Sequence, residues 1–172
     1  AMGVYSGDVI FNYTVTGSGT KLVHFLVDGK EIGSEEVGSS GRSRSYLIPA
    51  QTLGAHVLTT YAEVTVEGVT VKSNTLTLGM MWADETMSEP AVLSTFALEK
   101  ATQGENISIP YMAYDPQNET ATVTHTILNP DGTVYSSLNV SADRTAQTWV
   151  AQNYPVGDVT FRISCGNAKF EK

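Results

Sequence analysis

Residues 53–78 read LGAHVLTTYAEVTVEGVTVKSNTLTL, and this stretch decides the fold class of the chain. Apolar and polar residues roughly alternate over residues 57–66 and 69–78, and most of them are β-branched or aromatic. Alternation with a period of two is typical of strands that bury one face. Glu67-Gly68 separates the two runs as a turn signal, so the stretch predicts a long β-hairpin that closes a β-sandwich.

The composition excludes several classes of protein. The net charge is −8 over 172 residues, and only Arg42 and Arg44 lie close together among the basic residues. Binding to a nucleic-acid backbone requires clustered Lys and Arg, so we expect no nucleic-acid partner. No apolar run approaches the roughly 20 residues that a membrane-spanning helix needs, so no membrane insertion is expected. The single cysteine, Cys165, excludes an intrachain disulfide, so packing alone must stabilise the fold.

The sequence contains an internal repeat with an offset of 103 residues. Three landmarks recur without a gap, namely Asp28-Gly29 and Asp131-Gly132, Tyr46 and Trp149, and Gly54 and Gly157. The following strands stay in phase, with His56, Leu58, Thr60 and Ala62 aligned to Val159, Phe161, Ile163 and Cys165. Because self-similarity of this kind changes the domain count, we predict two domains, residues 1–79 and residues 80–172.

An inward aromatic, a loop, a glycine and a long penultimate strand together resemble the immunoglobulin-like or fibronectin type III-like module. The resemblance implies an all-β fold of two tandem immunoglobulin-like β-sandwich domains. The cysteine pair that links the sheets of true immunoglobulin domains is absent. Tandem modules of this kind are similar to those of tailed-phage tail or fibre proteins and bacterial surface proteins, which implies a location in a virion or at the extracellular cell surface.

The segment Met80-Met81-Trp82 follows the hairpin with almost no linker. We therefore interpret these residues as an interdomain junction that packs between both sandwiches and favours one interdomain angle. On this interpretation, Trp82→Ala loosens the pair without unfolding either sandwich. Both ends of the chain also look like cuts in a longer protein, which suggests neighbouring domains or subunits as partners.

Metal, cofactor and catalytic motifs are weak in this sequence. Asp84, Glu85 and Glu89 follow the junction and offer oxygen ligands to Ca²⁺, but ligand spacing of the D-x-D type is missing, and a solvated acidic loop is the plainer interpretation. The histidines lie on separate predicted strands without the spacing of a metal triad. No G-x-S-x-G elbow, phosphate-binding loop or pair of facing carboxylates is recognisable, so we expect neither a cofactor nor catalysis.

The sequence predicts a non-catalytic structural or spacer module that positions a neighbouring domain of a virion-associated or cell-surface protein. The alternative is a module for adhesion that binds a glycan or a host-surface protein. Its binding loop would be residues 38–44, with Gly38, Arg42 and Arg44 at the tip. Aromatic side chains that remain exposed can also stack on sugar rings, and the candidates are Tyr5, Trp82, Tyr135 and Tyr154.

Overall fold

The computed structural model describes residues 2–38 and 41–172 of the chain. These residues form fifteen β-strands joined by turns and loops. No helix among them is long and apolar enough to cross a membrane.

The first sandwich contains eight strands. They are β1 (Met2–Tyr5), β2 (Val9–Thr14), β3 (Lys21–Val27), β4 (Lys30–Val37), β5 (Ser43–Ile48), β6 (Gly54–Val66), β7 (Val69–Lys72) and β8 (Leu76–Trp82). Its larger sheet has the order β4-β3-β6-β8-β1, and β7 also pairs with β6. Strands β2 and β5 form the facing sheet. The pairs are antiparallel except that β1 runs parallel to β8.

The second sandwich contains seven strands. They are β9 (Ala91–Ser94), β10 (Ile107–Tyr114), β11 (Ala121–Leu128), β12 (Val134–Ala142), β13 (Gln147–Ala151), β14 (Thr160–Cys165) and β15 (Ala168–Glu171). One sheet has the order β12-β11-β14-β15, and the other has the order β13-β10-β9. All of these pairs are antiparallel.

The two sandwiches share one strand order apart from β1 in the first and β9 in the second. Strands β3, β4, β6 and β8 correspond to β11, β12, β14 and β15, while β2 and β5 correspond to β10 and β13. The chain therefore folds as two tandem immunoglobulin-like β-sandwiches, as the sequence predicts. The predicted division between residues 79 and 80 falls within β8 and stays a prediction.

Each sandwich encloses its own apolar core. The first core consists of Val23, Phe25, Val27, Val37, Ile48, Leu58, Ala62, Met80 and Trp82. The second core consists of Val92, Ile107, Ile109, Tyr111, Ala113, Ala121, Val123, Ile127, Ala142, Ala151, Tyr154, Phe161, Ile163 and Cys165. The shared strand phase is confirmed at three of its four positions, because Leu58, Thr60 and Ala62 in β6 and Phe161, Ile163 and Cys165 in β14 are buried, whereas His56 and Val159 are only partly buried. Burial also raises the pKa of the Cys165 thiol, so this group behaves as a small apolar side chain.

The offset of 103 residues is correct for the inward aromatics, but it is wrong for strands β3 and β11, which precede them. Tyr46 stacks on Phe25 with a centroid distance of 3.8 Å, and Trp149 stacks on His125 at 4.5 Å. Phe25 pairs with Thr60, and His125 pairs with Ile163, which lies 103 positions after Thr60. Phe25 therefore corresponds to His125, at an offset of 100 rather than 103.

The turns explain this difference in offset. Asp28 has a φ of 52° and Gly29 a φ of 82°, and positive φ at both central residues defines a two-residue type I′ turn. In the second sandwich the Gly132 amide donates to the Asn129 carbonyl at 2.9 Å, which makes a longer turn over residues 129–132. Asp28 and Asp131 still lie at the tips of equivalent hairpins, β3-β4 in the first sandwich and β11-β12 in the second.

The long hairpin of residues 53–78 has an interrupted second strand, although the sequence predicts one strand over residues 69–78. Residues 73–75 separate β7 from β8. The Ser73 amide donates to the Ala62 carbonyl at 2.8 Å, but the Ala62 amide donates to the Ser73 hydroxyl at 2.9 Å instead of to a carbonyl. This side-chain acceptor ends the regular ladder, because a serine hydroxyl competes with the backbone for hydrogen bonds.

Gly54 and Gly157 each lead into the long strand that follows the inward aromatic. Their φ values are +121° and +108°, which L residues with a Cβ atom rarely adopt. This backbone conformation explains why both copies of the repeat carry glycine at this position. At Gly157 an added Cβ would also lie 3.0 Å from Cγ of Pro130.

We predict that Gly54→Val and Gly157→Val each lower the free energy of unfolding by more than about 1 kcal/mol, because a β-branched residue is strained at these φ values. Denaturant titration of each variant against the parent measures the change. Gly38→Val is the matched control, since Gly38 is exposed, has no positive φ and would bring its Cβ within 4 Å of nothing. Equal midpoints for the parent and both test variants would contradict the prediction.

Candidate functional site

Strand β8 presents its side chains alternately to two different apolar environments. Met80 and Trp82 point into the first core and are 3% and 1% exposed. Met81 lies between them on the opposite face of the sheet and is fully buried there. A second packing partner must therefore cover the outer face of β8.

The second sandwich covers this outer face. Met81 belongs to a third apolar cluster, which we call the junction cluster, together with Ala91, Leu93 and Met112. Partly buried side chains complete it, and they are Met2, Ala55, Val57, Met87 and Tyr114. Because Ala91 and Leu93 belong to β9 and Met112 to β10, the outer faces of one sheet from each sandwich pack against each other.

The alternation along β9 and β10 explains why these strands are buried on both faces. Val92 points into the second core, while Ala91 and Leu93 on either side of it point to the junction cluster. In β10, Tyr111 and Ala113 face the core, and Met112 faces the junction. Runs with apolar residues at both parities, such as MMW and YMAY, are the sequence signal of such double burial.

Gly79 allows the two sandwiches to approach closely. A Cβ atom at this position would lie 2.6 Å from Cγ of Met2 and 2.9 Å from Cδ2 of Leu93. Met2 comes from β1, which pairs with β8, and Leu93 comes from the second sandwich. Gly79, Leu93 and Met112 are junction residues that the strand pattern does not identify, because it does not say which sheet covers the outer face of a strand.

Trp82 is fixed within the first sandwich rather than between the two. Its indole Nε1 donates to the Gly7 carbonyl at 2.8 Å, and its ring lies 5.9 Å from that of Tyr5 and 5.6 Å from that of His56. The expectation that Trp82→Ala only loosens the pair is therefore revised. Removing this side chain leaves a cavity in the first core, and such changes cost about 3–5 kcal/mol.

The segment between β8 and β9 is a closed turn, not a cluster of acidic ligands. The Asp84 carboxylate accepts hydrogen bonds from the Thr86 amide at 2.7 Å and from the Thr86 hydroxyl, and these bonds lower the pKa of Asp84. Across residues 2–38 and 41–172, no three His, Cys, Asp or Glu side chains lie close enough together to hold a metal ion. Asp84, Glu85 and Glu89 are thus not brought together as a Ca²⁺ site.

The binding loop that the sequence predicts over residues 38–44 ends earlier than predicted, because β5 begins at Ser43. Residues 39 and 40 lie outside the described residues, and Gly38 and Arg42 flank them with exposed positions. Arg44 belongs to β5, where it pairs with Tyr13, and its Nε lies 3.8 Å from Oε1 of Glu35. The assignment of Arg44 to the loop is wrong, because β5 begins at Ser43 to complete its ladder with β2.

The aromatic candidates for sugar stacking are mostly internal. Trp82 is buried, and Tyr154 is 9% exposed. The Tyr154 hydroxyl donates to the Glu105 carbonyl at 2.7 Å, and the Thr102 carbonyl oxygen lies 3.1 Å from the same hydroxyl. Tyr5 is partly buried against the first core. Tyr135 in β12 is 46% exposed. These side chains do not share a common surface in the way that a sugar platform requires.

Two histidines on the first sandwich form separate polar contacts. His24 lies between the carboxylates of Glu31 and Glu63, with its Nε2 2.7 Å from Oε1 of Glu63. Burial opposes the charged form of His24, but the two carboxylates outweigh it and raise the pKa above its usual value. His56 Nδ1 lies 2.6 Å from Oδ2 of Asp28.

His125 is buried in the second core and carries a polar network. Its Nε2 lies 2.8 Å from the Tyr111 hydroxyl, and the Gln147 side-chain amide donates to the same hydroxyl. Because the hydroxyl accepts from Gln147, it can donate its own proton to Nε2, which requires a neutral His125. Burial lowers the pKa of His125, in agreement with this arrangement.

No protein-family model matches the chain, and no curated protein matches it. Similar solved structures include the fibronectin(III)-like modules of Clostridium thermocellum CbhA, with 17% identity over 100% of this chain and 86% of that chain and a TM-score of 0.34. A β-glycosidase from Bacteroides vulgatus has 13% identity over 88% of this chain and a TM-score of 0.33, and the match covers 20% of that chain. The FN1–FN3 domains of chicken CNTN1 have 10% identity over 99% of this chain and 61% of that chain, with a TM-score of 0.29.

We predict that the second sandwich loses stability as the pH falls below about 6.5, the ordinary pKa of an unfolded histidine. The folded pKa of His125 is lowered, so the unfolded state binds the proton more tightly. Stability from this group is complete above pH 6.5 and declines towards the folded pKa, by at most about 1.4 kcal/mol per pH unit.

Denaturant midpoints measured from pH 7.5 to 5 for the parent and for His125→Phe test this prediction. Phenylalanine is the residue that the first sandwich carries at the corresponding position, Phe25. The variant should lose less stability on acidification than the parent. His24 serves as an internal contrast, since its raised pKa gives stability below pH 6.5 that is lost as the pH rises. Parallel pH profiles for the parent and His125→Phe would contradict the role of His125.

Proposed function

We propose that the pair of sandwiches is a non-catalytic spacer of a virion-associated or cell-surface protein, and that it holds a neighbouring domain at a fixed position. The junction cluster is the observation that carries this proposal. A spacer needs a joint that resists bending, and this joint buries apolar side chains from both sandwiches instead of relying on a free linker.

The cluster resists bending because movement must expose its apolar surface to water. Met81 is 0% exposed, Leu93 1% and Met112 3%. Full exposure of one such side chain costs about 1.5–3 kcal/mol. Rotation about the linker therefore opposes the hydrophobic effect at several positions together, which favours one interdomain angle.

The short covalent connection supports the same conclusion. β8 ends at Trp82 and β9 begins at Ala91, and the intervening turn is closed by the Asp84–Thr86 contacts and by a 3.2 Å bond from the Met87 amide to the Asp84 carbonyl. Met87 itself packs in the junction cluster. Pro90 also lies close to the second sandwich, since a Cβ on Gly166 would come within 2.9 Å of its ring.

Met81→Ala tests the proposed joint, because the Met81 side chain belongs to the junction cluster and not to either core. We predict that small-angle scattering shows a broader distribution of interdomain angles. If the two sandwiches unfold in one transition, the free energy of unfolding should fall by about 2–5 kcal/mol. Circular dichroism should remain that of the parent. Val71→Ala is the matched control, since Val71 is 58% exposed on β7, away from the cluster.

Two results would contradict the proposal in different ways. A scattering profile and melting curve for Met81→Ala that match those of the parent and of Val71→Ala would show that the cluster does not fix the angle. Hydrolysis of a polysaccharide or peptide by the purified pair would contradict the non-catalytic role. Binding on a glycan array would favour adhesion as the function instead.

A further inference from the structure

Among residues 2–38 and 41–82, no strand occupies the position that β9 has in the second sandwich. In the second sandwich β9 pairs with the end of β10, with partners Ala91 and Tyr114, Val92 and Ala113, Leu93 and Met112, and Ser94 and Tyr111. In the first sandwich the sheet that contains β2 has only two strands, so within the described part of the chain β2 pairs with β5 alone. One edge of β2 therefore offers unpaired backbone donors and acceptors.

The pairing of β2 with β5 and of β10 with β13 shows which residues of the two sandwiches correspond along this edge. Tyr46 pairs with Phe11, and its counterpart Trp149 pairs with Ile109, so β2 corresponds to β10 at an offset of 98. Residues 111–114, which bind β9, thus correspond to residues 13–16. The strand β10 continues to Tyr114, whereas β2 ends at Thr14. Residues 15 and 16 lack regular strand structure where the neighbouring strand is missing.

A groove occupies the position of the missing strand. The groove has a volume of about 160 Å³. Its walls include residues 13–16 at the end of β2, residues 60–62 of β6, and Ser73, Asn74 and Leu76 near the start of β8. In the second sandwich β9 lies against the equivalents of these three elements, namely β10, β14 and β15. The groove and the unpaired edge are separate observations that coincide at one place.

We propose that this groove binds an extended peptide strand of a neighbouring polypeptide, which adds antiparallel to residues 13–16 at the end of β2. Main-chain hydrogen bonds to an open sheet edge supply affinity in this mode, and alternate side chains supply specificity. Tyr13 and Val15 pack against the first core, while Thr14 and Thr16 are exposed. The bound strand therefore places the side chains opposite Tyr13 and Val15 towards the first core and the alternate side chains away from it.

The second sandwich gives the chemistry of the occupant in detail. The residue that faces Ala113 is Val92, which enters the second core, and Ser94 opposite Tyr111 donates its hydroxyl to the Pro110 carbonyl at 2.6 Å. A segment with a β-branched residue opposite Val15 and a small polar residue opposite Tyr13 fits the groove in the same way. This inference is independent of the spacer function, because the groove involves no residue of the junction cluster.

The test uses a synthetic peptide with the sequence of residues 90–96, PAVLSTF, in which Val92→Cys places a sulfur atom opposite Val15. This sulfur is supplied as a 2-thiopyridyl disulfide, so that a thiolate of the protein attacks it and 2-thiopyridone leaves. The full chain carries Val15→Cys. Directly opposed residues in an antiparallel pair have Cα atoms about 4.5–5.5 Å apart, within the range that a disulfide spans. The only native cysteine, Cys165, is buried, so the parent chain provides the background of the reaction.

We expect Val15→Cys to form the mixed disulfide about tenfold or more faster than the control Thr70→Cys, which places a thiol on exposed β7 outside the groove, because opposed residues meet the geometry of a disulfide. A peptide that carries Leu93→Cys instead should react slowly with Val15→Cys, since its sulfur atom points to the opposite face of the strand. An excess of unmodified peptide should suppress the specific reaction.

Equal rates for Val15→Cys and Thr70→Cys, or for the two peptides, would overturn the proposal. A second measurement covers the case in which Val15→Cys is misfolded. Unmodified PAVLSTF peptide should raise the melting temperature of the parent chain in a concentration-dependent manner, because a ligand that binds only the folded state stabilises it. No shift at millimolar peptide would also overturn the proposal, and neither outcome bears on the scattering test of the junction.

Discussion

The double burial of β8 is the constraint on which the arrangement of the molecule depends. One face of the strand supplies Met80 and Trp82 to the first core, and the other supplies Met81 to the junction cluster. A strand that is apolar on both faces is stable only when both faces are covered, since exposed apolar surface costs about 25 cal/mol per Å². The second sandwich provides this cover through Leu93, so the two modules are linked by packing as well as by the chain.

The two sandwiches use one architecture with different chemistry. In each, the aromatic of the fifth or thirteenth strand stacks on a residue of the facing sheet, but the partner of Tyr46 is Phe25 and the partner of Trp149 is His125. The second core therefore contains a polar network that Tyr111 must satisfy, because a buried polar group without a partner is costly. The two sandwiches therefore share a backbone topology, but the stability of their cores depends differently on pH.

The copies also differ at their edges. The second sandwich completes its smaller sheet with β9, whereas the first attaches its N-terminal strand β1 to β8 in the larger sheet. Strand β1 places Met2 beside Gly79, where Leu93 also packs, and so contributes to the junction. Within the described residues, the edge of β2 opposite β5 has no neighbouring strand. An open edge next to a groove is the kind of surface that proteins usually protect or use.

The sequence by itself determined the fold class, the internal repeat and the buried phase of the long strands, because period-two alternation and glycines such as Gly54 and Gly157 act locally. Tertiary structure decided what local patterns do not encode. A strand pattern identifies Met81 as apolar but not the sheet that covers it, and it assigns Arg44 to a loop because the partner strand β2 lies 30 residues away. The junction and the open groove depend on which strands meet in space, and contacts between distant segments are set by the packing of the whole chain.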